Sequence, residues 1–267
     1  MTRAIVLELL RAWAAAAVFQ FALWAWARRV RNWAWVDVGW SASFSLVVAV
    51  WLLGGGPRPW PLVVLVVAWS GRLAVHLARD RVIGHPEEGR YVELRRRWGR
   101  GGDGARAFFV FYQAQALLTA VLCCAIVVPF VAAAPVDGRA WLMPLGVGLG
   151  ALAVLGEAMA DAQLAAWKRD PAHRGQVCDV GLWRYSRHPN YFFEWCVWLG
   201  FALASTAYAG GAIAWLGPAI ILASIWKVTG IPATEAQALR SRGDAYRRYQ
   251  ETTSVFVPLP RRRPRPT

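Results

Sequence analysis

Long apolar runs alternate with short polar, mostly basic segments along the whole chain. The runs lie at about 4–27, 38–53, 60–78, 107–134, 140–166, 191–209 and 211–231. Their lengths are near the roughly 20 residues that an α-helix needs to cross a hydrocarbon core about 30 Å thick. Because an open strand leaves backbone groups without hydrogen bonds in lipid, every run is predicted to be helical.

This pattern predicts an all-α integral membrane protein with seven transmembrane helices. We expect one domain over residues 1–267, in which 232–267 form a cytoplasmic helix and a basic tail. A charged, amphipathic segment at 87–97 is predicted to be a short helix at the membrane interface.

The composition supports this fold class. Of the 267 residues, 57% are hydrophobic and 17 are tryptophan, which excludes an ordinary soluble domain. The net charge of +14 resides in the segments between apolar runs, so anionic lipid and a phosphorylated cofactor are the expected partners, and nucleic acid is not. The four cysteines form no CxxC pair and no zinc spacing, so we predict neither a metal site nor a disulfide framework.

The basic residues alternate from loop to loop. They crowd the first, third and fifth loops and the C-terminal segment, whereas the second and fourth loops hold only Arg58 and Arg139 and the sixth holds none. Since short cytoplasmic loops carry the excess of positive charge, the N-terminus is predicted outside and the C-terminus in the cytoplasm. Only two of the 30 basic residues are lysines, a bias typical of GC-rich bacterial genomes, so we expect a bacterial inner membrane.

Ionisable residues lie at or near the predicted cytoplasmic ends of the spans. Such residues are costly near lipid and indicate functional sites. The candidates are Asp37, Arg72, His76, Asp80, Glu157, Asp161, Glu194 and Glu235. Glu157 lies one turn from Asp161 on one helix face. We predict that the set converges on one pocket open to the cytoplasm, although His76 has the alternative role of an interfacial histidine paired with its own helix.

The densest polar stretch is 168–195, KRDPAHRGQVCDVGLWRYSRHPNYFFEW. Arginines interleaved with aromatic residues suit a nucleotide, because guanidinium groups bind phosphate in a fork and flat rings pack against the base. The competing interpretation is a positively charged cytoplasmic loop with interfacial aromatic residues, and composition alone does not separate the two.

The order of residues at 181–195, GLWRYSRHPNYFFEW, closely resembles the signature of the steroid 5α-reductase-like membrane protein family. A wider group contains sterol reductases and isoprenylcysteine carboxyl methyltransferases. The resemblance extends to VDVGW at 36–40, WSGRLAVHLARDR at 69–81, GEAMADAQLAAWKRDP at 156–171 and GIPATEAQALRSRGDAYRRYQETTSVFVP at 230–258. The last of these resembles the family's cytoplasmic helix and closing strand-like segment.

The resemblance implies a seven-helix reductase whose cytoplasmic half encloses NADPH, while a lipophilic substrate enters from the bilayer. By this resemblance, Asn190, Tyr191 and Glu194 contact the nicotinamide side of the cofactor. The sugars and phosphates are assigned to Asp161, Lys168, Arg184, Tyr185, Arg187 and His188, with help from Arg72, His76 and Asp80. Glu235 takes the place of a polar residue on the family's last helix.

The implied reaction is reduction of the C=C bond of a lipophilic enone, such as a 3-oxo-4-ene steroid, by hydride transfer to the β-carbon. A donor must then face the ketone oxygen. The family's Gln-Glu pair is replaced here by Val36 and Asp37, and its tyrosine position by Trp69. Asp37, surrounded by tryptophans, is expected to keep its proton and donate it at neutral pH. Trp33, Trp40 and Trp69 are the expected substrate contacts.

Three alternatives remain open from the sequence. Asp37 has the simpler role of capping the second helix at the membrane edge. The chain could be a membrane methyltransferase that uses S-adenosylmethionine, since that branch of the wider group shares the Arg-His-Pro-x-Tyr core. A non-catalytic sterol- or lipid-binding protein with the same fold is the third possibility.

Overall fold

The computed structural model describes residues 1–99, 104–227 and 230–262. These residues form eleven α-helices, connected by turns and by longer loops such as the one at 170–188. The helices are α1 (Thr2–Val30), α2 (Trp35–Leu53), α3 (Trp60–Leu77), α4 (Gly89–Gly99), α5 (Ala105–Leu122), α6 (Val128–Val131), α7 (Leu142–Arg169), α8 (Pro189–Thr206), α9 (Leu216–Lys227), α10 (Ile231–Arg242) and α11 (Asp244–Thr252). Apart from one isolated bridge, this part of the chain has no β-structure. The predicted all-α class is confirmed.

Among the described residues, six helical segments are long and apolar enough to cross a membrane: α1, α2, α3 with the π-turn that follows it, α5, α7 and the stretch containing α9 and α10. These segments indicate a multi-pass membrane protein. The helix predicted at 191–209 forms as α8, but it is not one of the six. Asn190, Tyr191 and Glu194 in its first two turns lower its mean hydropathy. The seventh span therefore stays a prediction.

The apolar surface of the long helices is turned outward as well as inward. Along α7, one exposed stripe at helical spacing consists of Leu145, Leu149, Leu152, Leu155 and Met159. In water, a stripe of this kind is rare on a monomer, whereas lipid solvates it at no cost. The exposed stripe agrees with the membrane assignment that length and hydropathy give.

By internal packing the chain divides into two compact units. The first unit is Met1–Pro144 with Ala204–Ala214, and the second is Leu145–Leu203 with Trp215–Thr267. In the first unit, α1 packs against both α5 and α2, and α2 packs against α3. Its core at one end contains Trp33, Tyr91, Phe108 and Tyr112, which joins α4 and α5 to the start of α2.

Two predictions about this unit have different outcomes. The charged segment at 87–97 forms a helix, α4, as predicted. The apolar run at 107–134 is not one helix, because α5 ends at Leu122 and a 3₁₀ turn separates it from the short α6. Pro129 lies in the first turn of α6, where its missing N–H group and ring prevent α5 from continuing through it.

In the second unit, α7 and α8 pack closely through glycines. A Cβ atom built on Gly200 would lie 2.7 Å from both the carbonyl oxygen of Gly146 and the amide nitrogen of Gly150. The Gly-rich segment of α7 therefore serves helix contact, as its position inside an apolar run predicts. Beyond α9, helices α10 and α11 pack on each other, and Ser254 forms the single bridge with Ser186.

Candidate functional site

A cluster of polar residues surrounds Asp37 in the first turn of α2. Both oxygens of its carboxylate accept hydrogen bonds from α4: Arg90 Nη2 contacts Oδ2, and the hydroxyl of Tyr91 donates to Oδ1 at 2.8 Å. Arg90 also lies 3.2 Å from Glu88, and its guanidinium stands 4.7 Å from the centre of the Tyr91 ring. The sequence separation between Asp37 and Tyr91 is 54 residues, so the fold brings this cluster together.

The turn before α2 is fixed by groups from two other segments, the residues just before α4 and helix α5. The backbone N–H of Trp33 donates to Glu87 at 2.8 Å, and its carbonyl accepts from the hydroxyl of Tyr112 at 3.0 Å. Its indole stacks on Phe108 with ring centres 4.4 Å apart. Glu87 in turn pairs with Arg95 at 3.1 Å. These contacts hold the backbone of the turn that precedes α2, whereas the carboxylate of Asp37 itself is held by Arg90 and Tyr91.

The geometry makes the Asp37 carboxyl an acceptor and its two neighbours donors. Burial, together with the charge of Asp37, raises the pKa of Tyr91 well above its usual value. The phenol therefore stays protonated, and its O–H is available as a donor. That Asp37 itself donates a proton stays a prediction; in this structure both of its oxygens accept hydrogen bonds.

The three tryptophans expected to contact substrate belong to the apolar part of the first unit. Trp33 and Trp69 are buried in its core, whereas Trp40 is partly exposed and meets the Trp69 ring edge-on. The indole Nε1 of Trp40 is buried and has no hydrogen-bond partner among the described residues. Trp40 lies three residues after Asp37, so the two side chains share a face of α2.

The candidates on α3 lie in the same unit. His76 Nδ1 is 3.0 Å from Asp80 Oδ2, one turn along the chain, as in the predicted pair of an interfacial histidine with its own helix. Arg72 is partly buried one turn before His76. Asp80 lies in the π-helical turn Ala78–Val82 that ends α3.

The remaining candidates belong to the second unit. Glu157 and Asp161 are both buried on α7, one turn apart, as predicted. The amide of Asn190 donates to Asp161 at 3.3 Å, which joins the start of α8 to α7. One turn further along α8, Glu194 accepts a hydrogen bond from the indole of Trp198 at 2.9 Å.

Glu235 of α10 is the centre of a network that fixes the loop before α8. Arg187 Nε donates to its carboxylate at 2.7 Å, and His188 Nε2 lies 3.3 Å from the same oxygen. Gln250 donates to the second oxygen at 2.7 Å, and the hydroxyl of Tyr246 lies 3.4 Å from the first. Arg187 also donates to the carbonyl oxygens of Gln250 and Thr253, at 3.0 and 2.8 Å.

These contacts divide the predicted cofactor residues into two groups. Arg187 and His188 are buried or nearly so, and their polar atoms contact the chain itself. Lys168, Arg184 and Tyr185 are exposed. Tyr191 lies between the groups, because its ring stacks on His188 and its hydroxyl is 3.2 Å from Thr234. The exposed group is therefore the one with donors that can reach a bound molecule.

The Asp37 cluster and the Glu235 network both lie in a stretch of the chain that matches a protein family. A family model described as "Protein of unknown function (DUF1295)" matches residues 23–253. The chain belongs to this family. The match extends from α1 through α11 and includes every residue named above as a site candidate. No curated protein and no solved structure matches the chain.

Within the family region, the structure adds residues to the site that the sequence did not indicate. Tyr91 and Arg90 join Asp37, and Tyr246 and Gln250 join Glu235. The alternating charges of α4 predicted an interfacial helix, but they carried no signal that this helix contacts α2. In the sequence, the local feature that could have marked Tyr91 is an aromatic residue within a strongly charged segment.

Proposed function

We propose that this protein is a steroid 5α-reductase-like membrane enzyme that uses NADPH to reduce the C=C bond of a lipophilic enone, most simply a 3-oxo-4-ene steroid. The family is associated with steroid 5α-reductase-like proteins, which agrees with the motif at 181–195. The apolar spans offer a flat lipid a route from the bilayer, which supports a lipophilic substrate.

The observation that carries this proposal is the cluster of Arg90 and Tyr91 on the Asp37 carboxylate. Reduction of an enone builds negative charge on the ketone oxygen, and an enzyme lowers that barrier with donors fixed before the reaction. Tyr91 supplies a phenol that stays protonated, and Arg90 supplies a cation that cannot lose its proton under ordinary conditions. Asp37 orients both.

The residues of the second unit fit the cofactor. Lys168 and Arg184 are exposed cations for its phosphates, and Tyr185 offers an exposed ring. Asn190 and Tyr191 in the first turn of α8 add amide and hydroxyl groups next to backbone N–H groups. Glu235 belongs to the support of this loop, since it contacts Arg187 and His188. When bound, NADPH supplies the hydride that reaches the β-carbon.

The protein's own part in the reaction is to hold the ketone and to stabilise the charge that builds on its oxygen. Arg90 donates to the enolate oxygen as the β-carbon becomes saturated, and Tyr91 does so by turning its single O–H from Asp37 to that oxygen. The α-carbon then takes a proton from solvent water, and the ketone is restored. In sum, one enone, one NADPH and one proton give one saturated ketone and NADP⁺.

The first test is cofactor binding by the detergent-purified protein. We expect NADPH to raise the melting temperature, because a ligand at 100 times its dissociation constant stabilises the folded state by about 2.7 kcal/mol. NADH should do so more weakly, and S-adenosylmethionine not at all. Absorbance of the reduced nicotinamide should then fall when a 3-oxo-4-ene steroid is added.

Matched variants make this test specific. Arg184→Gln and Lys168→Gln should reduce the shift caused by NADPH, whereas Arg139→Gln, in the turn before α7, should leave it unchanged. A shift with S-adenosylmethionine in place of NADPH would contradict the reductase and support a methyltransferase. A shift with none of the three would support a lipid-binding protein without catalysis.

The proposal includes a topology of seven spans, with α8 as the sixth, the N-terminus outside and the C-terminus in the cytoplasm of a bacterial cell. Cysteine labelling tests it, since three native cysteines are buried and Cys196 is partly buried. In intact cells, an impermeant maleimide should label Arg58→Cys in the second loop. It should label His85→Cys, in the third loop, only after the membrane is opened. The reverse order would contradict the orientation.

A further inference from the structure

A cavity of about 480 Å³ lies in the second unit, between α11 and the segment that follows α7. Its lining includes none of the cofactor residues proposed above, although Lys168 directly follows the lining residue Trp167. Its volume is within the range of roughly 300–1,000 Å³ that small-molecule sites have. The lining residues that carry polar groups include Trp167, Gln176, Asp179, Arg248, Thr252 and Arg261.

The charge at this cavity is positive. Arg248 is exposed on α11, and Arg261 Nη2 lies 2.7 Å from Asp179 Oδ2, so the lining has two guanidinium groups and one carboxylate. Two more cations act on the same wall. Burial raises the pKa of the Cys178 thiol, which lies next to Asp179, whereas Lys168 and Arg242 act to lower it.

The donors on the lining point to the chemistry of the occupant. Arg248 is exposed, and Arg261 shares its guanidinium group with Asp179. Guanidinium groups are donors only. An occupant must therefore bring acceptors and negative charge, and the group that suits two arginines through paired N–H···O contacts is a phosphate.

We propose that this cavity is a phosphate-binding site in which Arg248 and Arg261 hold the anion. Asp179 competes for Arg261, so the bound phosphate replaces part of that ion pair. The phosphate has two possible sources, a nucleotide or the headgroup of an anionic lipid, which share this chemistry. The site does not depend on the proposed reaction, because the cavity and its charges are the same whatever the chain catalyses.

The site connects the segment after α11 to the loop before α8. Arg261 lies beyond residue 253, where the family match ends. Tyr249 lines the cavity, while its hydroxyl donates to the carbonyl oxygens of Trp183 and Ser186. Ser186 immediately precedes Arg187, so an occupant of the cavity contacts a side chain that holds the predicted cofactor loop.

The experiment is a calorimetric titration of the purified full chain with inorganic phosphate, at constant ionic strength set by chloride. We expect saturable binding by the wild type, and a loss of affinity of about tenfold or more in Arg248→Gln and in Arg261→Gln. Asp179→Asn should change affinity in the opposite direction, with binding several-fold tighter, because Arg261 loses its competing carboxylate.

The matched control is Arg247→Gln, which removes the same charge from the neighbouring position of α11. Arg247 pairs with Asp244 and does not line the cavity. Melting curves without phosphate establish that each variant is folded. The proposal is overturned if the wild type shows no saturation, or if Arg247→Gln loses as much affinity as Arg248→Gln.

Competition then identifies the source of the phosphate. Displacement by NADPH but not by NADH would assign the site to the extra phosphate of a nucleotide. Displacement by nanodiscs of phosphatidylglycerol, but not of phosphatidylcholine, would assign it to a lipid headgroup. Saturable phosphate binding with neither competitor would leave free phosphate as the ligand. Each of these results supports the site, and only the absence of specific binding contradicts it.

Discussion

Glu235→Ala is expected to lower the melting temperature of the detergent-purified protein by roughly 6–12 °C. The substitution removes the acceptor shared by Arg187, His188 and Gln250, whose side-chain atoms lie 2.7, 3.3 and 2.7 Å from its carboxylate. Leaving one member of a nearly buried ion pair alone costs about 3 kcal/mol, and 1 kcal/mol corresponds to about 2–4 °C for a chain of this size.

Two further variants separate charge from shape. Glu235→Gln keeps an acceptor of the same size but loses the charge, so we expect about half of the decrease. Asp244→Ala removes an ion pair with Arg247 at 3.3 Å whose side chains are 79% and 71% exposed, and its effect should be within about 0.5 kcal/mol. If all three variants melt alike, Glu235 does not stabilise this loop.

The loss of Glu235 should also affect cofactor binding. His188 precedes the two residues, Pro189 and Asn190, that begin α8. Loosening the loop at Glu235 should therefore weaken NADPH binding, even though Glu235 needs no contact with the cofactor. Rescue of both stability and binding in Glu235→Gln, relative to Glu235→Ala, would assign Glu235 a positioning role.

Hydrophobic periodicity predicted most of the helices because every span that crosses lipid must be a long apolar helix. Long apolar runs must be helical, so α1, α2, α3 and α7 begin and end within a few residues of the predicted runs. Hydropathy alone does not show where a helix ends inside a continuous apolar run. The run that contains α5 continues through Cys123 and Pro129 without a polar residue, so hydropathy gives no sign that the helix stops at Leu122.

Local motif order identified the loop at 181–195, but it could not separate residues that hold the chain from residues that face a ligand. Arg184 and Arg187 have the same side chain and lie three residues apart. In the structure Arg184 is exposed, whereas Arg187 contacts Glu235 and two carbonyl oxygens. The difference depends on α10 and α11, which are more than 40 residues further along the chain.

The partners of Asp37 could not be predicted from local motif order either. The motif VDVGW marked the carboxyl, and its neighbouring tryptophans suggested an acid that keeps its proton. The partners that make it an acceptor come from α4, 53 and 54 residues away. Pairing at that distance is set by how α2, α4 and α5 pack around Trp33, and no short sequence pattern encodes it.

Tyr91→Phe and Asp37→Asn are each expected to lower turnover of an enone with saturating NADPH by about 100- to 1,000-fold. The first removes the phenol that would donate to the ketone oxygen, and the loss of one such donor has an effect of this size. The second removes the charge that orients Tyr91 and Arg90. Turnover is followed by the absorbance of reduced nicotinamide, and cofactor binding by the melting shift, which should stay as in the wild type.

Tyr112→Phe is the matched control, because Tyr112 is buried in the same core and its hydroxyl also donates one hydrogen bond, at 3.0 Å to the carbonyl of Trp33. The change in shape is the same as in Tyr91→Phe, but no carboxylate is involved. We therefore expect Tyr112→Phe to lose stability and to keep turnover within about threefold, since a neutral hydrogen bond contributes about 1 kcal/mol. Equal turnover in Tyr91→Phe and Tyr112→Phe would exclude the phenol of Tyr91 as the donor and leave Arg90 as the group that meets the ketone.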